Sequence, residues 1–308
     1  MHFFQADAEL DRQVQSALEA TWREFPGLAR NQIALTWLVY DDPCPVNTGG
    51  ALDANSFWQI PVRGSHYRGD ETIYPASIVK LFYLVAAMEW LQQGMLFPDP
   101  EIDRALRDMI ADSSNDATSL ILDLLTGTTS GPSLAEGPFR AWAMQRQIVN
   151  RYFKALGWPE LESINCCQKT WGDGPYGRER DFYGATFENR NRLTTNATTR
   201  LLHAIAGGVA VSAPASQQMM DLLRRSLDPG ERAADPENQV DGFIGEALPE
   251  GSRLWSKAGW MSQARHDTAY VERPGRSPVL LTIFTEGATA AQATGLLPFI
   301  TGQLLSLS

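Results

Sequence analysis

Apolar positions recur along the chain with two periods, one typical of helices and the other of strands. Near the start, residues 6–23 place Leu10, Val14, Leu18 and Trp22 on one helical stripe. This spacing predicts an amphipathic first helix whose apolar face packs on the core.

Strand-like runs lie near both ends of the chain. They are rich in branched and aromatic residues, and they cover residues 33–40, 56–62, 252–256, 267–272 and 278–286. Because a strand needs partners, we expect one sheet that is assembled from both chain ends.

Helical periodicity dominates the middle of the chain. Beyond the first helix, we predict helices from Ser77 to about Gly94 and over residues 102–110, 116–125, 140–156, 195–206, 214–227 and 290–305. This order predicts an α+β fold with two lobes, in which terminal helices pack against an antiparallel sheet and a second lobe is all-helical. We expect residues 1–73 and 208–308 to form the sheet lobe, and residues 74–207 the helical lobe.

Residues 157–193 interrupt the periodic pattern. They contain Gly, Pro and aromatic residues without a sustained period. A segment of this length is too long for a simple connection, so it predicts a functional loop or a lid.

The helix that begins near Ser77 combines an apolar body with a polar first turn. Pro75 favours an abrupt entry, and Ser77 and Lys80 lie three residues apart, on one face of the first turn. A serine beside a lysine at the positive end of a buried helix is an arrangement for a nucleophile and its base. The alternative is that Ser77 caps the helix while Lys80 extends to water.

Composition excludes several classes of protein. The chain has 308 residues, of which 44% are hydrophobic and 20% charged, so it can form one large domain or two closely packed ones. Its net charge is −10 and it has no basic run, which argues against a nucleic-acid partner. No stretch approaches the roughly 18 apolar residues of a membrane span.

Cysteine and histidine usage gives no sign of a metal site or a disulfide framework. The three cysteines are Cys44, Cys166 and Cys167, an odd number with two adjacent, and we expect each to pack as a small apolar side chain. The histidines have no ligand or triad spacing, and a strand histidine such as His266 is usually structural. We therefore predict no metal and no cofactor.

The first residues lack the basic start and the apolar run of a secretory signal peptide. Two localisations stay open: the cytoplasm if the chain is full length, or an extracytoplasmic compartment if a leader was removed. The oligomeric state is also open, with a monomer as the default expectation.

Two further motifs accompany the serine and the lysine. Ser113 and Asn115 stand at a predicted helix start, where the alternative is a plain helix cap. Lys257 and Gly259 lie on a late strand-like stretch, where the alternative is an ordinary strand end. In this order, S-x-x-K, Ser-x-Asn and Lys-x-Gly are the motif set of class A β-lactamases and penicillin-binding proteins.

The chain thus resembles the penicillin-recognising S-x-x-K superfamily, and class A β-lactamases in particular, over nearly its whole length. The resemblance implies a β-lactamase/DD-peptidase-like fold and a covalent acyl-enzyme on Ser77, with Lys80 as its base and Ser113 as a proton relay. It also implies that Asn115 and the strand residues Lys257, Gly259, Trp260 and Arg265 bind the substrate. Within that set, the backbone N–H groups of Ser77 and Trp260 would form the oxyanion hole, and Lys257 and Arg265 would meet a substrate carboxylate.

The chain departs from the family pattern at three places. Ala258 replaces the usual Thr or Ser that helps bind the carboxylate, and Ser114 replaces the usual Asp of class A enzymes. The glutamate that releases the acyl-enzyme has no obvious counterpart. Among the acids of the long loop, namely Glu160, Glu162, Glu179, Asp181 and Glu188, we predict Glu179, although each also fits a solvated surface acid.

Three hypotheses of function follow. The first is a β-lactamase-like serine hydrolase that acts on β-lactam-like amides or on esters. The second is a D-alanyl carboxypeptidase, amidase or esterase on the same scaffold. The third is a penicillin-binding or sensor module that is acylated or occupied without turnover. In each case the expected partner is a small-molecule or peptide substrate that carries a carboxylate.

Overall fold

The computed structural model describes residues 3–41 and 49–307, and its contacts divide the chain into two compact units. The first unit comprises Met1–Ile78 and Thr194–Ser308, and the second comprises Val79–Leu193. The first contains the sheet and the second is helical, so the predicted α+β fold is confirmed.

The first unit contains one sheet of seven strands in the order β1-β3-β2-β7-β6-β5-β4. The strands are β1 (Gln5–Ala6), β2 (Ile33–Val39), β3 (Arg63–Tyr67), β4 (Arg224–Arg225), β5 (Arg253–Met261), β6 (Ala264–Glu272) and β7 (Val279–Thr285). All neighbours pair antiparallel except β1 and β3, which are parallel. The centre of the sheet therefore joins β2, from the start of the chain, to β7, from its end.

The helices follow one another around and between these strands. They are α1 (Ala8–Glu24), α2 (Ala54–Gln59), α3 (Val79–Gln92), α4 (Pro100–Ile110), α5 (Asn115–Thr126), α6 (Glu136–Arg146), α7 (Ile148–Ala155), α8 (Gly177–Tyr183), α9 (Thr195–Ala206), α10 (Ala213–Leu223), α11 (Pro229–Ala234), α12 (Ala288–Gln292) and α13 (Leu296–Leu307). Short 3₁₀ turns cover Arg30–Gln32, Ala76–Ile78, Pro159–Leu161 and Ile244–Ala247.

The core of the first unit lies between the terminal helices and one face of the sheet. Leu10 and Val14 of α1 and Ile300 and Leu304 of α13 share a buried cluster with the β2 residue Trp37. Burying such side chains stabilises the unit by roughly 1.5–3 kcal/mol each. The predicted packing of both terminal helices against the sheet is therefore confirmed.

The second unit is built around α3. Nearly all of its residues are buried, and it packs against α4, α5 and α7. Phe82 meets Phe153 of α7 with ring centroids 5.0 Å apart. A helix that is apolar all round is stable only when neighbours cover every face, and this environment also buries Lys80.

Three sequence predictions need correction. The predicted strand 56–62 is wrong, because Asp53 caps helix α2 by accepting a hydrogen bond from the backbone N–H of Ser56, 3.1 Å away. The strand follows at Arg63–Tyr67, a stretch with little apolar character. The predicted helix 140–156 is two helices that meet at Gln147, and the last helix is likewise divided into α12 and α13.

The boundaries between the units also differ from the predicted lobe limits. Residues 74–78 and 194–207 belong to the sheet unit. The second difference arises because α9 is hydrogen-bonded to the sheet. The Thr195 hydroxyl lies 2.8 Å from the Thr36 hydroxyl on β2, and the Thr199 hydroxyl donates to the Thr282 hydroxyl on β7 at 2.7 Å. These buried hydroxyl contacts attach α9 to the sheet.

Cys166 and Cys167 are buried free thiols, in agreement with their predicted packing role, while Cys44 lies outside the described residues. Across the described ranges, no helix combines the length and the apolar character that crossing a membrane requires.

Candidate active site

The turn that carries Ser77 is a strained 3₁₀ turn, Ala76–Ile78, which leads directly into α3. Ala76 has a φ of +46°, a conformation that residues with a Cβ rarely adopt. The flanking Ala76 and Ile78 are buried, but Ser77 is half-buried. Within the described part of the chain, the Ser77 hydroxyl has no hydrogen-bond partner. It is therefore free to meet a substrate.

Strand β5 approaches the backbone of this turn very closely at Gly259. A Cβ at that position would lie 2.9 Å from the backbone nitrogen of Ser77 and 3.0 Å from both Ile78 N and Pro75 O. All three are backbone atoms, which cannot move aside as a flexible side chain could. A residue without a side chain is therefore required at position 259 for the turn to lie this close to β5.

His266 holds the same turn from β6, directly opposite Gly259 in the strand pairing. Its Nδ1 accepts a hydrogen bond from the Thr285 backbone N–H at 3.0 Å, so the proton lies on Nε2. That Nε2–H donates to the Tyr74 carbonyl oxygen at 2.8 Å. Burial lowers the pKa of His266 to about 4, so the ring is neutral at pH 7. The histidine is structural, as expected, and Tyr74, to which it donates, lies three residues before Ser77.

Lys257 lies in the middle of β5 and is fully buried, unlike the surface lysine of the alternative interpretation. Its ammonium donates to Gln239 Oε1 and to the Ala258 carbonyl oxygen, each at 2.7 Å. Gln239 Oε1 also accepts from the Ala258 backbone N–H at 3.2 Å. Gln239 thus fixes the position of Lys257, a role that nothing in the sequence signals because the two residues meet only through the fold.

The two remaining substrate-binding candidates of this unit have different surroundings. Trp260 is 40% exposed, and its ring packs on Phe243 with centroids 5.6 Å apart. Arg265 donates from Nε to the Ala291 carbonyl at 3.0 Å and lies 4.9 Å from the centre of the Phe243 ring. Its guanidinium is therefore already bound to backbone and ring, and its contact with a substrate carboxylate stays a prediction.

In the second unit, Lys80 gathers Ser113 and Asn115 around its amine. Nζ donates to the carbonyl oxygen of Ser113, to the Ser113 hydroxyl at 3.1 Å and to Asn115 Oδ1 at 3.0 Å. The S-x-x-K lysine and both polar members of the Ser-x-Asn motif thus share one set of hydrogen bonds.

Local backbone geometry explains why both polar groups of Ser113 reach Lys80. Ser113 has a φ of +56°, and the next residue, Ser114, caps α5 by accepting from the Ala117 N–H at 3.2 Å. Such conformations are disfavoured by about 1–3 kcal/mol and persist where neighbouring contacts impose them. The cap predicted at this helix start is present, but the capping residue is Ser114, which leaves Ser113 available to Lys80.

The environment of Lys80 favours its neutral form. The side chain is fully buried, and every hydrogen-bond acceptor around Nζ is an uncharged oxygen. Burial without a compensating carboxylate lowers the pKa of Lys80 to about 7. A substantial fraction of this lysine is therefore a neutral amine at neutral pH, as a general base needs to be.

Glu179, predicted to activate the deacylating water, lies in a buried ion cluster. Its carboxylate pairs with Arg146 and accepts from the Ser130 hydroxyl at 2.9 Å, and Lys169 Nζ lies 4.0 Å away. Asp123 completes the cluster by pairing with Arg146 at 3.2 Å and Lys169 at 2.6 Å. Burial raises the pKa of Glu179 even so. Its described contacts do not include Lys80, and its catalytic role stays a prediction that this geometry does not favour.

The other acids of the long loop offer no better candidate. Glu162, Asp181 and Glu188 are exposed, whereas Glu160 is buried in the 3₁₀ turn Pro159–Leu161. Among the described residues, no cluster of three or more His, Cys, Asp or Glu side chains could hold a metal ion.

Known structures share this fold. A β-lactamase from Sphaerobacter thermophilus has a TM-score of 0.62 and 18% identity, with 96% of each chain covered. A mutant of PBP-A, as an acyl-enzyme complex with penicillin G, has a TM-score of 0.64 and 14% identity over 98% of this chain and 97% of the other. A mutant class A β-lactamase of the last common ancestor of Gram-negative bacteria has a TM-score of 0.59 and 19% identity, covering 95% and 97%.

At these identities the structural similarity shows the fold alone, and no curated protein sequence matches the chain. A sequence model described as the β-lactamase enzyme family matches residues 63–300, well over half of the chain. The matched range includes the Ser77 turn, the Lys80 cluster and strand β5. The chain belongs to the β-lactamase enzyme family.

Proposed function

We propose that the protein is a serine hydrolase that cleaves amide or ester bonds, with β-lactam-like amides foremost, through a covalent acyl-enzyme on Ser77. The observation that carries the proposal is the environment of Lys80. Three residues after an unpartnered serine hydroxyl, a buried lysine has only neutral acceptors and a pKa near 7.

In the acylation step, the Ser77 oxygen bonds to the substrate carbonyl carbon while neutral Lys80 takes the hydroxyl proton. The tetrahedral intermediate then collapses, the carbonyl–nitrogen bond breaks, and the nitrogen needs a proton to leave. Ser113 supplies that proton and is reprotonated by Lys80, since its hydroxyl lies 3.1 Å from Nζ. The proton that left Ser77 thus reaches the leaving group.

Charge on the carbonyl oxygen is stabilised by the backbone N–H groups of Ser77 and Trp260. Gly259, the neighbour of Trp260 on β5, lies very close to the backbone nitrogen of Ser77. This approach supports the arrangement, because the two donors come from backbone segments that contact each other. Removing one donor of such an oxyanion hole typically lowers turnover by about 10²–10³.

Binding of the substrate involves Asn115 and Lys257 in this proposal. Asn115 meets the amide side chain of the substrate, and the ammonium of Lys257 attracts its carboxylate. Ala258 supplies no hydroxyl for that carboxylate, so we expect weaker binding of β-lactams than in enzymes that carry Thr or Ser there.

A specific observation favours a second candidate, a penicillin-binding protein that is acylated but releases the product slowly. Rapid release requires a group that activates water. Glu179 is committed to Arg146 and Ser130, and no carboxylate binds Lys80 in the described part of the chain. Without such a carboxylate, Lys80 itself would have to activate the water that releases the acyl group.

A chromogenic cephalosporin assay separates these functions. Steady turnover that disappears in Ser77→Ala supports a β-lactamase, whereas a single stoichiometric burst supports the slow-release function. No reaction with β-lactams, combined with Ser77-dependent cleavage of p-nitrophenyl esters or D-alanyl peptides, would identify an esterase or carboxypeptidase. Full activity in Ser77→Ala would refute all of these functions.

A further inference from the structure

Gln239 binds two hydrogen-bond donors of β5 with a single oxygen atom. Its Oε1 accepts from the Lys257 ammonium at 2.7 Å and from the Ala258 backbone N–H at 3.2 Å. A carboxylate oxygen that binds between an ammonium and a backbone amide makes the same pair of contacts. The amide oxygen of Gln239 therefore lies where one oxygen of a carboxylate bound to Lys257 would lie.

Side chains also cover the neighbouring backbone groups on this edge of β5. In the described part of the chain, β4 pairs with only two residues of β5, and no strand covers the rest of the edge. The Ser256 carbonyl oxygen accepts from Nε and Nη2 of Arg225 at 3.2 and 3.1 Å. The Ala258 carbonyl oxygen accepts from Lys257 Nζ at 2.7 Å. The protein thus binds this part of the edge with its own side chains, and the contact of Gln239 is one of several that hold it closed.

The backbone around Gln239 is held on both sides, which keeps its side chain in place. On one side, the Asn238 side-chain oxygen accepts from the Val240 backbone N–H at 3.0 Å. Val240 itself belongs to the buried cluster that includes the terminal helices. On the other side, the Ile244 N–H donates to the carboxyl group of Asp267 on β6 at 3.0 Å. Gln239 is only 4% exposed, so a ligand that displaced it would have to break buried hydrogen bonds.

A substrate carboxylate gains little in exchange for displacing Gln239. Lys257 is fully buried, so an anion that reached its ammonium would lose its own water. Ala258 has no side-chain donor that could add a further hydrogen bond to the anion. An uncharged ester or amide group needs no ammonium, and it can lie beside Gln239 without replacing it.

We infer that Gln239 determines specificity as an internal substitute for the substrate carboxylate, so that the site prefers substrates with an uncharged ester or amide group at that position. This inference rests on the proposed function, because it concerns the substrate that acylates Ser77. The ammonium of Lys257 then attracts a substrate carboxylate effectively only when Gln239 is displaced. Gln239 is not a catalytic residue in this account, since it excludes one class of substrate and takes no part in the acylation step.

The test compares acylation of Ser77 by penicillin G, which carries a carboxylate, with acylation by its methyl ester, which does not. Intact mass measured over time gives both second-order rate constants. In the unchanged protein, we expect the methyl ester to react at least as fast as penicillin G. In Gln239→Ala, the ratio of the penicillin G constant to the methyl ester constant should rise at least about tenfold, the effect of one charge-assisted contact. A general loss of reactivity cancels in this ratio, so a merely structural role of Gln239 would leave it unchanged.

Two further variants complete the comparison. Gln239→Glu places a fixed negative charge beside Lys257, so its ratio should fall below that of the unchanged protein. Gln217→Ala is the matched control, because Gln217 is an exposed glutamine of α10 that bonds to Asp221, and its ratio should not change. A ratio well above one in the unchanged protein, or one that does not rise in Gln239→Ala, would overturn the inference. If Gln239→Ala fails to fold, the near-isosteric Gln239→Glu decides alone, and a ratio that does not fall would then overturn it.

A binding measurement separates failure of this inference from failure of the proposed function. Calorimetric titration with phenylacetylglycinate and with the neutral phenylacetylglycinamide requires no acylation of Ser77. We expect the anion to bind Gln239→Ala at least about tenfold more tightly than the unchanged protein, with no such gain for the amide. If neither penicillin derivative acylates Ser77, the proposed function fails, and the titration still decides the inference. No gain in anion affinity, or an equal gain for the amide, would overturn it.

Discussion

At the scale of single residues, the protonation state of Lys80 controls the proposed reaction. Burial lowers its pKa from 10.5 to about 7, so the amine is protonated and inactive as a base below pH 7 and neutral above it. We expect the rate constant for acylation of Ser77 to rise with pH through about 7 and to level off above pH 8. Stopped-flow measurement with a chromogenic cephalosporin or an activated ester between pH 5 and 9 checks this profile.

Lys80→Ala provides the companion measurement. Loss of a general base should lower the acylation rate by at least about 10² and remove the step near pH 7. An unchanged rate, or a step that persists in the variant, would show that another group takes the serine proton.

His266 makes a second prediction at this scale. His266→Leu would leave the Tyr74 carbonyl oxygen and the Thr285 N–H buried without their present partner. We expect the acylation rate to fall about tenfold or more at a temperature where the variant is still folded, because the backbone before Ser77 loses its anchor. The measurement combines acylation kinetics with thermal unfolding followed by circular dichroism.

The matched control is His203→Leu, a second buried histidine of the same unit, whose Nδ1 lies 2.9 Å from the Tyr40 hydroxyl. It should lower stability without slowing acylation of the folded fraction. If both variants slow acylation equally, His266 has no special influence on the Ser77 turn.

The sequence singled out candidate side chains for the site, but not the residues that position them. Ser77, Lys80, Ser113 and Asn115 were chosen because their motifs, in this order, resemble those of class A β-lactamases and penicillin-binding proteins. Gln239 was not predictable, because its contact with Lys257 depends on a loop and a strand that meet only in the folded chain. The pKa of Lys80 has the same origin, since it depends on burial by neighbouring helices.

At the scale of elements, the contact between β5 and the Ser77 turn tolerates no side chain at position 259. Gly259→Ala would place a methyl group 2.9–3.0 Å from three backbone atoms, so the turn must move away from the strand. We expect acylation to slow by about 10² or more, the scale of one lost oxyanion donor. Acylation kinetics of the folded variant measure the effect.

Gly137→Ala is the control for this change. Gly137 lies in α6, where an added Cβ would meet nothing within 4 Å, and alanine there is expected to be neutral or slightly stabilising. Normal acylation in Gly259→Ala would mean that the strand does not position the serine.

The long loop between α7 and α9 yields a prediction that separates two roles of Glu179. Glu179→Gln removes one partner of a buried ion pair and leaves Arg146 with less charge compensation. We expect a loss of about 3–5 kcal/mol in the free energy of unfolding. Denaturant unfolding measures the loss, and the rate of acyl-enzyme release is measured on the same samples.

Glu136→Gln removes an exposed pair with Arg140 and should change stability by less than about 1 kcal/mol. If the role of Glu179 is structural, Glu179→Gln lowers the free energy of unfolding, while the folded variant releases the acyl group at the unchanged rate. Unchanged stability with abolished release would instead assign Glu179 as the base that activates water.

The elements themselves were predictable where periodicity is strong. The helices α1, α3 and α9 and the strands β2 and β7 lie close to their predicted ranges. Strand β3 was missed, because Arg63–Tyr67 includes Arg, Gly, Ser and His and owes its conformation to pairing with β1 and β2. Tertiary pairing there outweighs intrinsic preference.

At the scale of the whole molecule, the joining of both chain ends in one sheet was predictable from strands at either end and helices between them. The register Leu35↔Ile283 shows the result, with β2 and β7 side by side at the centre. The limits of the two units were less predictable. Whether a helix joins the sheet or the helical unit depends on buried polar contacts such as those of Thr195, which periodicity does not reveal.

The most direct test of the central claim is the intact mass of the protein after incubation with penicillin G or with an activated ester, followed by peptide mapping. The proposed chemistry predicts a mass increase of one acyl group, located on Ser77 and missing in Ser77→Ala. It also predicts slow appearance of that adduct in Lys80→Ala. An acyl group on another residue, or none in the unchanged protein with any activated donor, would contradict the claim that Ser77 is the nucleophile.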